Sequence, residues 1–164
     1  MCLDTFNIAG RIYADPTVEG GVSPGGEERV RESLKRLVRE VQVEKVFYVQ
    51  VVDAERLGEP LVPGHAFWRE DMPGRMAWSR NCRLFYGEWE RGAYLPVKEI
   101  ARAVFQGLGY RGWVSVELFN RRMGDEGEEV PEELARRGAV SWEKLGRDMR
   151  FVEALPSGRI SASL

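Results

Sequence analysis

Apolar positions along the chain alternate between short runs and helical repeats. Between residues 27 and 42, Val30, Leu34, Leu37, Val38 and Val41 fall on one face, while Arg and Glu fill the other. That i, i+4, i+7, i+8 spacing predicts an amphipathic helix. The run from Val46 to Val52 is β-branched and aromatic, the composition of a buried strand. The pattern then repeats. Pro96 suits a first helical position; Val97, Ile100, Ala101, Val104, Phe105 and Leu108 line one face, and Gly107 and Gly109 close the element. Trp113 to Leu118 reads as another strand. Pro131 opens a third helix whose apolar line runs Leu134, Trp142, Leu145, Met149 and Val152, with Gly138 as a weak point.

Helices alternating with covered strands predict a parallel sheet in an α/β fold. Residues 1–155 are expected to form this domain, and 156–164 a small, polar, frayed tail. Cys2-Leu3-Asp4 reads as the last residues of a strand, so chain upstream of Met1 is expected. Two long connections, residues 5–26 and 53–94, each separate a strand from a helix. The second carries His65, Phe67, Trp68, Trp78, Phe85, Tyr86 and Trp89. So many aromatics predict a substrate cover or an inter-subunit contact.

Composition narrows the field. Hydrophobic residues are 43% and charged residues 30% of the 164 positions, which fits a globular domain rather than a disordered one. The 24 basic and 26 acidic side chains nearly cancel, so neither nucleic acid nor an acidic membrane is an expected partner. Cys2 and Cys82 form no C-x-x-C pair, and the first ten residues lack a secretory pattern; a cytoplasmic location is expected.

Each strand delivers a polar side chain near its end: Asp4, Gln50 and Glu117. Period-2 alternation places Tyr48, Gln50 and Val52 on one face, and Ser115 with Glu117 on one face of the next strand. Singly, Asp4 could cap a turn, Gln50 could bond backbone and Glu117 could pair with an arginine. Together they favour one shared site. An oxygen-only set suits a hard cation such as Mn²⁺ or Mg²⁺ better than zinc, with Co²⁺ a further candidate.

Four segments carry a family resemblance: Leu3-Asp4-Thr5-Phe6-Asn7, Tyr48 to Asp53, Trp78 to Phe85, and Val116-Glu117-Leu118-Phe119-Asn120. In order and spacing they resemble the sugar-phosphate isomerase/epimerase-like (xylose isomerase-like) TIM barrels, and within these the 3-dehydroshikimate dehydratases, from Cys2 to about Arg147. The resemblance implies a partial (β/α)8 barrel holding about the last three βα units. It implies a metal-dependent lyase that converts 3-dehydroshikimate to protocatechuate in quinate and shikimate catabolism. Asp4, Gln50 and Glu117 would be metal ligands, with a fourth carboxylate upstream, and Glu117 would also serve catalysis. Ser79-Arg80-Asn81-Cys82-Arg83 resembles the substrate segment, so Ser79, Arg83 and Arg80 are expected to hold a cyclic hydroxy acid. Asn7 departs from the bacterial pattern, where a histidine stands three residues after the Asp. His65, the single histidine, is a candidate base by its loop position. Asp53 and Arg56 are expected to pair or to brace the site. The alternatives are a sugar isomerase or epimerase of the same superfamily, or a non-catalytic remnant. A missing N-terminal half or a homo-oligomer is the expected protein partner, with Tyr48 and Val52 exposed where it would meet the chain.

Overall fold

The structure, a computed structural model, describes residues 1–151. Its sheet is built around β2 (Tyr48–Val51), where Val49 and Val51 are fully buried and Tyr48 and Gln50 are half-buried on the other face. Val49 and Val51 join a core with Val30 and Leu34 from α2 (Gly26–Glu40) and with Val97 and Ile100 from α4 (Val97–Arg102). β2 pairs in parallel with β1 (Cys2–Asp4) on one side and β5 (Trp113–Val116) on the other. The register sets Asp4 level with Gln50, and Gln50 level with Ser115. Parallel strands need crossovers, and the helices supply them.

The helices follow the predicted periodicity, with shifts that have local causes. Glu27 and Glu28 open α2 and Arg39 closes it, each sign matched to the helix dipole. Gly26 is required where α2 begins: a Cβ there would lie 2.8 Å from the Tyr13 carbonyl oxygen. α4 continues as a π-type turn over Ala103–Gly107. The first long connection is not a plain loop, because Asp4 caps an immediate helix α1 (Thr5–Ile12). Thr5 Oγ1 donates to the Val52 carbonyl at 2.6 Å and accepts from the Val52 amide at 2.9 Å, tying α1 to the end of β2. Val52 is therefore fully buried rather than exposed, while Tyr48 is half-buried and donates to Ser115 Oγ at 2.5 Å.

The second connection also folds back. β3 (Asp53–Ala54) pairs antiparallel with β4 (Arg83–Leu84), and α3 (Gly74–Asn81) lies between them in sequence. This draws Trp78, Phe85 and Tyr86 into the interior, while His65, Phe67 and Trp68 are half-buried, so three of the seven residues expected as a cover are core. Trp89 remains 62% exposed. A bidentate pair, Arg137 Nε to Glu88 Oε1 at 2.7 Å and Nη2 to Oε2 at 2.9 Å, ties the connection to α5 (Val130–Met149).

That pair also turns α5 away from its predicted apolar line. Its buried side is Val130, Arg137, Gly138, Ser141, Leu145 and Met149, and Trp142 is 44% exposed. Gly138 is not a weak point: Phe85 packs there, 3.4 Å from where a Cβ would stand. Val152 and the 156–164 tail lie outside the described residues. Among the described residues, no helix is long and apolar enough to cross a membrane.

Asp53 does not pair with Arg56. Its Oδ1 accepts the amides of Ala54 at 2.7 Å, Tyr94 at 3.2 Å and Leu95 at 2.9 Å, pinning both ends of the connection together. Arg56 instead lies 4.7 Å over the Tyr94 ring. Burial pushes the Asp53 carboxyl up from 3.8 to about 7, opposed by those three amides and reinforced by Glu88. A raised folded-state value means the protonated acid favours the fold. That contribution is fully present below 3.8 and is lost as pH rises through about 7. Asp53→Asn keeps the acceptor oxygen and removes the titration. Between these two pH values the variant should therefore gain stability relative to the wild type. Urea midpoints across that range measure it, and a constant difference would mean that Asp53 is ionised in the folded chain throughout.

Candidate active site

The ends of the three parallel strands bring Asp4, Gln50 and Glu117 onto one face. Glu117 lies one residue beyond β5, and its amide still donates to the Val51 carbonyl at 3.3 Å, which extends the ladder to the site. The Gln50 side-chain amide donates to Glu117 Oε1, and its oxygen accepts from the Cys2 thiol at 3.4 Å. Asp4 has two duties. Its Oδ1 caps α1 by accepting the Asn7 amide at 3.0 Å, and its Oδ2 accepts from Asn7 Nδ2 at 2.7 Å. The capping role and the shared-site role coexist in one carboxylate.

Arg83 occupies the centre. Its Nη1 donates to Asp4 Oδ2 at 3.3 Å and to Glu117 Oε2, so the two carboxylates converge on one positive group. Nε and Nη2 both donate to Ser79 Oγ, at 3.1 and 3.0 Å. The Phe6 ring lies 4.3 Å from the guanidinium carbon and the Phe119 ring 5.2 Å from it, both within cation–π range. The backbone is held too: the Arg83 amide donates to the Phe119 carbonyl at 3.0 Å, and Asn120 Nδ2 donates to the Arg83 carbonyl at 2.9 Å. Phe6, Phe119 and Asn120 are thus site residues to which the sequence reading assigned no role. The signal available was their adjacency to Asp4 and Glu117.

Burial raises the Glu117 carboxyl above its usual range; Arg83 and Gln50 oppose this and Asp4 adds to it. The other expected residues are placed differently. Arg80 is exposed on α3, and its side chain makes no hydrogen bond among the described residues. His65 Nδ1 accepts the Phe67 amide at 3.0 Å and its ring packs on Phe67 at 5.2 Å; it makes no hydrogen bond to the strand-end cluster. Cys82, beside Arg83, is fully buried and its thiol is pushed up to about 12, chiefly by burial, so it is no nucleophile. Among the described residues no group of three or more His, Cys, Asp and Glu side chains could hold a metal ion. The strand-end set is two carboxylates and one amide.

No protein-family model matches the chain. In structure, 91% of it superposes on 17% of a xylose isomerase-like TIM barrel/4-hydroxyphenylpyruvate dioxygenase fusion protein, with a TM-score of 0.54 and 22% identity. This likeness defines the fold class: a mixed α/β arrangement shared with part of a TIM barrel. In sequence, the chain is 64% identical over 167 aligned positions to the 3-dehydroshikimate dehydratase of Neurospora crassa, with 100% of this chain and 46% of that enzyme covered. The chain is thus similar to this one enzyme along its own whole length, and it spans about half the length of this curated relative.

Arg83 is the only positive group hydrogen-bonded to Asp4 and Glu117 among the described residues. Removing one partner of a buried ion pair costs about 3–5 kcal/mol, because the remaining charge keeps its desolvation penalty. Arg83→Ala should therefore unfold at clearly lower urea than the wild type, by that order, and Arg83→Lys should recover part of the loss. An Arg83→Ala midpoint equal to that of the wild type would show that the guanidinium does not hold the strand ends together.

Proposed function

We propose that this chain forms the last three βα units of a metal-dependent 3-dehydroshikimate dehydratase barrel, with its active site at the ends of β1, β2 and β5. The observation that carries the reading is the convergence of two strand-end carboxylates, Asp4 and Glu117, on one cationic group, in a chain 64% identical to such an enzyme. The domain is 1–155. Its substrate is a small cyclic hydroxy acid, and the pathway it serves is quinate and shikimate catabolism in the cytoplasm.

The donor set fits a hard divalent ion. Asp4 and Glu117 offer carboxylate oxygens on one face, and the space between them already accommodates a positive charge; Gln50, whose Nε2 donates to Glu117 here, would turn its amide to add a third oxygen. These three would hold Mn²⁺, Mg²⁺ or Co²⁺; when bound, such an ion polarises a ketone oxygen and acidifies the neighbouring C–H. The chain's own residues supply the rest. Arg83 orients a carboxylate or hydroxyl through its planar donors. Ser79 Oγ accepts from Arg83, so its own hydroxyl proton is available to the substrate. Glu117 would serve catalysis as well as ligation, as an ionised carboxylate at this face. The reaction is balanced without an oxidant. A proton leaves the carbon beside the ketone, a double bond forms, and the hydroxyl on the next carbon departs as water. Loss of one water and enolisation give the aromatic ring.

The protein partner in this reading is the rest of the barrel. β1 and β5 are the outer strands of the sheet, and an apolar groove of about 730 Å³ runs between β5 and α5 past Val114, Val116, Leu118, Leu134 and Trp142. Trp113 beside it is 81% exposed. Unpaired strand edges with an apolar flank bind further strands.

Residues 1–164 should be assayed for protocatechuate by absorbance with Mn²⁺, Mg²⁺ or Co²⁺. One sample is the chain alone, and a second is the chain co-expressed with the part of the Neurospora crassa dehydratase that it does not match. Turnover is expected in the complemented sample, with Glu117→Gln lowering it at least a hundredfold and removing the metal-induced rise in melting temperature. Turnover with no metal dependence, or with Glu117→Gln as active as the wild type, would defeat the reading.

A further inference from the structure

A second cavity lies on the helix side of the sheet, away from the strand-end cluster. It is a cleft of about 960 Å³ between α2, α4 and the 86–96 segment, and Asp53 lines it. Asp53 points out of the strand layer opposite to Gln50, because three residues along an extended chain reverse the side-chain direction. Asp53 is 3% exposed. All three of its hydrogen bonds are made by Oδ1; Oδ2 takes none among the described residues. Oδ2 is not among the buried polar atoms left without a partner, so it is open to the cleft, where a ligand's donor can reach it.

The walls indicate which ligand. Tyr13, Tyr94 and Trp89 present aromatic rings, with Tyr13 and Tyr94 6.1 Å apart, while Val30 and Leu34 add aliphatic surface. Besides Asp53, the carboxylates of Glu27 and Glu99 line the cleft, and neither has an ion-pair partner among the described residues. Three basic residues also line it, but two are already taken. Lys35 is held by Glu32 at 2.7 Å and Lys98 by Asp148 at 3.0 Å. Arg31 is left at the exposed edge. Arg56, 4.7 Å over the Tyr94 ring, is a further positive group at that wall; set against Arg31 and Arg56, the three carboxylates still leave a negative balance, and an aromatic face beside carboxylates is recognition chemistry for an organic cation.

We propose that this cleft binds a small organic amine, its apolar body between α2 and the Tyr13–Tyr94 wall and its ammonium donating to Asp53 Oδ2. The buried carboxyl, pushed up to about 7 while alone, would be stabilised as the anion by that cation. Because Oδ1 of the same side chain pins Tyr94 and Leu95, occupancy would also brace the end of the connection that carries Ser79 and Arg83. The inference does not depend on the dehydratase reading.

The test uses residues 1–164 at pH 8, with phenethylamine as the probe and 2-phenylethanol and 3-phenylpropionate as neutral and anionic controls of similar shape. Binding is followed by amide chemical-shift titration. Phenethylamine should give saturable shifts at Ala54, Tyr94 and Leu95 and bind at least tenfold more tightly than either control. Asp53→Asn should weaken the amine at least tenfold and leave the controls unchanged. Val38→Trp, at the rim of the cleft on α2, should abolish all binding while the remaining amide spectrum stays that of the folded chain. An amine that binds no better than the alcohol, or equal binding to Asp53→Asn, would overturn the proposal. So would saturable shifts confined to the strand-end face.

Discussion

The contact on which this chain most depends is the guanidinium of Arg83 between the carboxylates of Asp4 and Glu117. Asp4 ends the first strand, Glu117 lies just beyond the last, and Gln50 on the central strand reaches Glu117. One buried positive group therefore links the ends of all three strands. It is itself positioned by a short antiparallel pair, β3 with β4, that has no counterpart in the parallel sheet. Two acids brought this close in a poorly solvated place repel each other unless a cation sits between them. The fold of the 53–95 connection can be understood from that requirement: it returns to the sheet and delivers the cation.

The same requirement explains why Trp78, Phe85 and Tyr86 of this connection are interior. To reach the strand ends, Arg83 must lie under the surface. Its neighbours Trp78, Phe85 and Tyr86 then fill the space between sheet and helices, and Trp78 Nε1 donates to the Glu55 carbonyl at 3.0 Å. Glu88 and Arg137 repeat the device one layer out, as a second buried carboxylate with a bidentate arginine. Here the partner is a helix rather than a strand.

What the sequence made legible were the features governed by period and by position on a strand. Val49 and Val51 alternate with Tyr48 and Gln50, and this alternation is enough to place Gln50 with Asp4 and Glu117 once the strands are parallel. The helical faces of α2 and α4 were legible for the same reason. What local pattern could not give were choices made by partners distant in sequence. Arg137 and Gly138 are buried because Glu88 and Phe85 meet them about fifty positions away, so the apolar line read along α5 was displaced toward Trp142. Asp53 looked like a partner for Arg56, three residues on. Its actual partners, the amides of Tyr94 and Leu95, are backbone groups and leave no mark in the side-chain pattern. Val52 was misplaced because Thr5 captures its amide and carbonyl, a contact across 47 positions.

The strand-end geometry also bears on how the proposed divalent ion and Arg83 would share one site. Asp4 and Glu117 cannot both stay in contact with the guanidinium and also close around a second cation, since two positive charges would then stand within a few ångströms in a low-dielectric place. Phe6 and Phe119 hold the guanidinium through its faces, and Ser79 holds Nε and Nη2, the edge away from the Nη1 that meets the acids. If the proposed ion bound between Asp4 and Glu117, it would take over the electrostatic duty that Arg83 performs here, and Arg83, still held by Ser79, would be free to donate to an anionic ligand.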